Sequence, residues 1–440
     1  MITIYDIDTA SRTILHREPL FTMSYPESIL ESTERLFGQG VSPSMAVAEI
    51  LKSILEDGDE ALRKWSSLLD RFEPDDFRVE ASELERAAES MPVDLMDTMN
   101  TAIERIRAFH QLQPLPDWET QSLGGRLGQR VTAVESVGVY VPGGTAPLPS
   151  SLLMSVIPAQ VAGVKQVVVC TPPKAHDSIL AAAYLCGVES VFQIGGAQAI
   201  AALAFGTKSV PKVDKIVGAG NLFVTLAKQQ VYGVVGLDGL AGPTETMVIA
   251  DHTATPSWVA ADLLAQAEHD VLASAILLTP DQALAEAVQI EIANQMEDLS
   301  RSEIIASSLN SRSGIVITPD LETAAVLASN YGPEHMCLAV EDPGDIASHI
   351  CNAGGLFIGE GSFEVLGDYI AGPSHVMPTG GTARFASPLN VLDFVKITSI
   401  IALDATTSAK LSPLAAKFAH SEGLTAHASA AEYRAGVQND

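Results

Sequence analysis

Short runs of β-branched and aliphatic residues recur at helix-length intervals through the middle of this chain, and that alternation restricts its fold more than any other feature. A first series comprises Val137-Gly138-Val139-Tyr140-Val141, Gln166-Val167-Val168-Val169-Cys170, Val191-Phe192-Gln193-Ile194, Lys215-Ile216-Val217 and Gly233-Val234-Val235-Gly236. A second comprises Met247-Val248-Ile249-Ala250, Ala275-Ile276-Leu277-Leu278, Gly314-Ile315-Val316-Ile317, Met336-Cys337-Leu338-Ala339 and Gly355-Leu356-Phe357-Ile358. Helical stretches separate the runs, starting near Ser151, His176, Pro256, Pro280, Asp320 and Pro343. A strand apolar at successive positions is covered on both faces, and a helix between two such strands lets the next run parallel to the last. The expected architecture is therefore α/β, with two Rossmann-like parallel-sheet units and a cleft between them.

The flanks read differently. From about residue 25 to 112 the pattern is helical, punctuated by Ser42-Pro43 and Asp57-Gly58-Asp59, with Met99, Ile103 and Ile106 keeping the helical period. Beyond Ala386 the chain is expected to be helical, ending in helices over 405–419 and 428–433. That tail is too small to bury a core of its own, so it is expected to pack on another surface.

At 440 residues the chain exceeds one compact core, and 47% hydrophobic against 18% charged residues describes a well-packed protein. Net charge is −28 with no cluster of Lys or Arg, which excludes nucleic acid as an expected partner and mildly favours a small cationic substrate. No run is apolar for the ~18 residues of a spanning helix, so no membrane association is expected. Cys170, Cys186, Cys337 and Cys351 show no Cys-x-x-Cys pairing and are expected to be buried free thiols in a reducing compartment. The opening residues lack a basic-then-apolar leader, and a cytoplasmic location follows as the expectation.

Polar residues of catalytic type interrupt this background. Gln266 and His269 stand three apart at the end of a helix opened by Thr255-Pro256, a spacing at which an oxygen and an imidazole nitrogen on one helix stripe reach one point. Alone, such a pair is more often a polar helix edge with a hydrogen-bonded histidine. Gly332-Pro333-Glu334-His335 sets two titratable groups immediately before a strand, where acid and base can serve one reacting centre, although a solvated turn is the blander reading. Asp368, in a Gly-flanked segment leading to His375, is an oxygen donor or a turn aspartate; Glu422 and His427 add another acid and imidazole, or a polar helix surface. Together Gln266, His269, Asp368 and His427 make a nitrogen and oxygen donor set without thiolate, suited to Zn²⁺ or Mn²⁺ in a site that holds substrate.

Over most of its length the chain resembles the histidinol dehydrogenase family. The resemblance rests on Gly138-Val139-Tyr140-Val141-Pro142-Gly143-Gly144-Thr145-Ala146-Pro147-Leu148-Pro149-Ser150, Gly195-Gly196-Ala197-Gln198-Ala199, Ala241-Gly242-Pro243 and Gln266-Ala267-Glu268-His269. Pro333-Glu334-His335, Gly367-Asp368-Tyr369, His375-Val376, Glu422-Gly423-Leu424 and Ala426-His427 complete it. The resemblance implies a zinc enzyme that oxidises L-histidinol to L-histidine, by way of the aldehyde, with two NAD⁺. It implies Gln266, His269, Asp368 and His427 as zinc ligands and Glu334 and His335 as the acid/base pair. It implies Tyr140, Gln198 and Asn221 as NAD contacts, and Thr244, His375 and Glu422 as substrate contacts beside the metal ligands and His335. It also implies an intertwined homodimer in which Glu422 and His427 complete the partner's site. The expected division is an N-terminal extension over 1–25, a discontinuous α/β domain over 26–136 and 241–386, an NAD-side α/β domain over 137–240, and a helical extension over 387–440.

Four positions depart from the family pattern: Thr244 where Ser is usual, Ala219 where Pro is common, Phe223 where Tyr is common, and Ser374 where Asn is frequent. A Gly-x-Gly-x-x-Gly fingerprint is missing, so NAD is implied by the resemblance and not by a motif. The competing readings are a sister dehydrogenase acting on another small polar alcohol, a zinc hydrolase with Glu334 as base, and a two-domain binding protein. An anionic alcohol would need a cation in the pocket, and Arg384, the nearest candidate, reads as structural.

Overall fold

Six consecutive buried residues, Glu245–Ala250, form the central strand β9 of a six-stranded parallel sheet. Its order is β1 (Ile4–Asp6), β11 (Gly314–Ile317), β10 (Ser274–Thr279), β9, β12 (His335–Ala339), β13 (Gly355–Ile358). The structure, a computed structural model, describes residues 2–17, 25–143 and 147–435; Gly144, Thr145 and Ala146 of the sequence motif, and the outermost residues of both expected extensions, lie outside them. Helices cover both faces. Val259 and Leu263 of the helix Pro256–Ala267 pack with Val248 and Leu277 on one side, and Ala324, Ala325 and Ala328 of Leu321–Tyr331 pack with Met247 and Ile249 on the other. Each fully buried Leu or Ile in these layers contributes about 2–3 kcal/mol of hydrophobic transfer free energy. Strand β1 lies outside both series of apolar runs and pairs with β11 through Ile4↔Ile315.

The first series of apolar runs forms a five-stranded parallel sheet of order β6 (Ser190–Gln193), β5 (Gln166–Thr171), β4 (Ser136–Tyr140), β7 (Lys215–Val217), β8 (Gly236–Leu237). The last strand starts at Gly236 because Val234 and Val235 close a turn onto Val231 O. Gly138 lets a helix approach: a Cβ there would stand 2.9 Å from Leu203 Cδ1 of the helix Gly196–Phe205. Both sheets belong to one compact unit, Met1–Leu112 with Glu135–Phe394, whose N-terminal portion supplies the expected helices.

The second unit, Gln113–Val134 with Val395–Asp440, corrects the expectation of a wholly helical tail. Val395–Ala402 is a strand, β14, antiparallel to β3 (Arg126–Ala133), which also pairs with β2 (Trp118–Thr120). Helices Ala405–Ser421 and Thr425–Ala435 follow, close to the expected spans. All four cysteines are free; Cys170, Cys186 and Cys337 are buried as expected, whereas Cys351 is exposed. Among the described residues no helix is long and apolar enough to cross a membrane.

Candidate active site

The parallel register sets His335 beside Thr246, so the residues entering β9 and β12 stand side by side at the amino edge of the six-stranded sheet. A hydrogen-bond chain joins them. Gln266 Nε2 donates to Thr244 Oγ1 at 2.6 Å, and the Thr244 hydroxyl donates to Glu334 Oε2 at 2.5 Å. Glu245 N donates to the same oxygen at 3.0 Å. Burial pushes the Glu334 carboxyl up to about 7, against the pull of His335 and these donors, into the range where a carboxylate exchanges protons at neutral pH. His335 Nδ1 lies 3.3 Å from Glu245 O, and its Nε2 lies 3.4 Å from Asp368 Oδ1 without hydrogen-bond alignment. Burial works against the proton on His335, but the charges of Glu364 and Glu334 and the nearby Asp368 outweigh it and raise the group to about 10.

The helix Glu364–Tyr369 brings Glu364 and Asp368 to the same point. Asp368, expected in a Gly-flanked loop, is on this helix, and its one-turn spacing from Glu364 was the unread signal for that second acid. Glu364 is buried, accepts a hydrogen bond from the Thr246 hydroxyl, and is pushed up to about 8 by burial. His335, Glu364 and Asp368 offer three donor atoms within 4.8 Å of one another. Gln266, joined to Glu334 through Thr244, carries a further oxygen donor: its side chain is wholly buried, its amide nitrogen is held by Thr244, and Oε1 has no hydrogen-bond partner. A buried amide oxygen left without a donor is suited to a cation. His375 Nδ1 donates to Asp368 O at 2.7 Å while Nε2 lies 3.2 Å from Ser151 Oγ, tying the site to the helix Pro149–Val161 of the five-stranded half.

Arg17 braces this frame from outside. Its guanidinium forks onto both carboxylate oxygens of Glu245 at 2.5 and 2.6 Å, lies 3.6 Å from the Tyr331 ring centroid, and donates from Nε to Tyr331 O at 3.0 Å. Glu245 thereby presents a fixed backbone N–H to Glu334 and a fixed carbonyl to His335.

His269 is not on the same helix stripe as Gln266. The helix ends at Ala267, Glu268 caps it, and His269 is an exposed turn residue whose N–H donates to Gln266 O at 3.3 Å. Glu422 caps the helix Ala405–Ser421 and His427 lies in Thr425–Ala435, both exposed and both in the second unit. Arg384 donates to Asn330 O, in keeping with a structural role.

The expected NAD residues gather at the carboxyl edge of the five-stranded sheet. Tyr140 ends β4, is buried, and accepts from Gly196 N at 3.1 Å; burial pushes its phenol up to about 12. Gln198 is buried in the following helix, with Nε2 donating to Asp70 Oδ2 at 2.9 Å and Oε1 unpaired. Asn221 caps the helix Leu222–Val231, accepting from Phe223 N and Val224 N. Gly218, with φ of 105°, turns the chain between β7 and this cap at a point where any Cβ would overlap Tyr140 O.

Residues 39–435 match the sequence profile of the histidinol dehydrogenase family. A histidinol dehydrogenase of Thermus thermophilus is 50% identical over 408 residues, 92% of this chain and 98% of the relative. One of Deinococcus radiodurans is 48% identical over 93% of this chain and 94% of the relative. The crystal structure of histidinol dehydrogenase from Elizabethkingia anophelis superposes with a TM-score of 0.89 at 32% identity, covering 98% of each chain. The chain is an oxidoreductase that belongs to the histidinol dehydrogenase family.

Proposed function

We propose that the protein oxidises L-histidinol through L-histidinal to L-histidine with two NAD⁺, the closing steps of histidine biosynthesis, as a zinc-dependent cytoplasmic homodimer. The observation that carries this reading is the chain Gln266–Thr244–Glu334 beside His335 and Asp368, which unites cation donors and an acid/base pair.

Gln266, His269 and Asp368 would hold Zn²⁺ with His427 of the partner subunit; the orphaned Oε1 of Gln266 and the carboxylate of Asp368 fit that role. Bound there, zinc would fix the imidazole and amine of histidinol and offset the carboxylates that hold the proton on His335. NAD⁺ at the carboxyl edge of the five-stranded sheet, against Tyr140, Gln198 and Asn221, would supply the hydride acceptor. His335 takes the alcohol proton in the first oxidation, oriented by Glu245 O. Glu334, fixed by Thr244 and Glu245 N, takes a proton from the water that hydrates the aldehyde before the second oxidation. Thr244 keeps the hydroxyl that the family's usual Ser would supply. His375, held between Asp368 O and Ser151, would contact the substrate together with Glu422 of the partner subunit. Burial of this pair keeps the aldehyde from bulk water.

Exposed apolar residues support the dimer. Leu356 and Ile358 on edge strand β13, with Leu366 and Tyr369 on the adjoining helix, leave 37–54% of their surface in solvent. In the second unit Ile401 and Phe418 are 75% and 73% exposed. Apolar edges of this kind are normally covered. The test of the activity is stoichiometry: the zinc-loaded protein should form two NADH and one histidine per histidinol consumed. A product stopped at one NADH, or no NADH at all, would reject it.

A further inference from the structure

In doubly wound dinucleotide folds, the strand after the first helix commonly ends on an acid that receives the hydroxyls of the adenosine ribose. Strand β5 holds that place here, stepping away from β4 on the side opposite β7, yet it ends on Thr171 and runs into Pro172-Pro173. The chain supplies a carboxylate to the same place from elsewhere. Asp70 closes the turn Ser66–Asp70, and Arg71, left-handed with φ of 52°, ends that turn. Gly195, just after β6, lies between Asp70 and Pro172: a Cβ on it would stand 3.0 Å from Asp70 Oδ1 and 3.4 Å from Pro172 Cβ.

Asp70 Oδ2 is occupied, accepting from Gln198 Nε2 at 2.9 Å and Gly195 N at 3.4 Å. Oδ1 has no hydrogen bond among the described residues. The two bonds to Oδ2 alone would make Asp70 an anchor for the Gly195 turn. The free Oδ1, beside the unpaired Oε1 of Gln198, is what an anchor does not need and a ligand does. We propose that Asp70 receives the adenosine ribose hydroxyls of NAD and excludes cofactors carrying a 2′-phosphate. This rests on the reading that the carboxyl edge of the five-stranded sheet holds NAD. A vicinal diol donates two hydrogens to a carboxylate, whereas a phosphate at the same point sets like charges together.

The experiment titrates NADH and NADPH into the zinc-loaded protein by fluorescence, with KM values for NAD⁺ and histidinol alongside, for the parent, Asp70→Asn and Asn221→Ala. Asp70→Asn should raise the NADH dissociation constant by about tenfold or more. It should leave NADPH binding unchanged or tighter, and the KM for histidinol unmoved. An anchoring role would weaken both dinucleotides alike, and that result, or unchanged NADH binding, overturns the proposal. The control separates its premise: if Asn221→Ala also leaves NADH binding unchanged, the location of the cofactor is wrong and the assignment of Asp70 falls with it. Should Asp70→Asn not fold, Asp70→Glu replaces it: keeping the charge, it should stay selective against NADPH, and loss of that selectivity overturns the proposal.

Discussion

The two parallel sheets share an architecture and gather their candidate site residues at opposite edges. In the five-stranded sheet, Tyr140, Gln198 and Asn221 gather at the carboxyl ends, where strands stepping in two directions leave a crevice. In the six-stranded sheet, Thr244, Glu334 and His335 gather at the amino ends, while a different pocket of about 330 Å³ lies between β12, the segment that follows β13 and the helix Pro256–Ala267. Trp258, Asp262, Cys337 and Glu360 line it. Its acids suit no phosphate, and Glu360 is already occupied by Thr255 N and Oγ1. Topology therefore offers crevices, and side chains decide which of them does chemistry.

The largest test of that contrast strikes the amino edge. His269→Asn should lose stoichiometric zinc and at least about a thousandfold in turnover, whereas His335→Asn should keep zinc and lose turnover. Metal analysis of the two variants decides between the donor sets that share Asp368. Mixing inactive His269→Ala with inactive His427→Ala should restore about a quarter of parental activity if tails cross, because one site of each mixed dimer escapes both lesions. Next, Glu334→Gln should slow histidinal oxidation by about 10²–10⁴-fold and alcohol oxidation less; parental rates on histidinal would remove Glu334 from water activation. Third, Arg17→Ala leaves the Glu245 carboxylate buried and unpaired. Denaturant unfolding should show about 3–5 kcal/mol lost, with lower kcat, and Arg17→Lys should recover only part because it lacks the fork.

The smallest effect belongs to the pocket that Asp262 lines. Burial, with the Glu360 charge, pushes Asp262 up to about 6 from 3.8, so the fold disfavours its carboxylate and stability falls as pH rises between these values. Asp262→Asn should raise Tm by about 1–3 °C at about pH 8, with the gain vanishing near about pH 4. Activity should stay within about twofold; a larger loss would mean that this pocket takes part in function.

Much of this was legible because buried parallel strands are continuous apolar runs and titratable side chains of catalytic type interrupt them. The runs at Val137 and Met247 gave β4 and β9, and Glu334-His335 stood out at the start of β12. What escaped depends on partners distant in sequence. Val395–Ala402 is rich in β-branched residues, but most of them are exposed and its partner β3 lies more than 260 residues earlier, so the surrounding helical signals masked it. Arg17 looked like any surface arginine until the fold set Glu245 against it. The placement of His269 failed for a local reason: the helix formers continue to Glu268, and nothing in composition marks a stop one residue earlier.

The pairing of Ile4 with Ile315 has a consequence for how the molecule is made. At ribosomal rates of ~5–20 residues per second, β1 waits roughly 15–60 seconds for its neighbour to emerge. Through that interval the N-terminal strand has no place in the sheet, and Arg17 has no Glu245 until β9 has been synthesised. Once β11 appears, its outer edge stays open until β1 returns to it. That late pairing caps a sticky strand edge, and variants weakened at the N-terminus should aggregate during synthesis before they show any defect as folded protein.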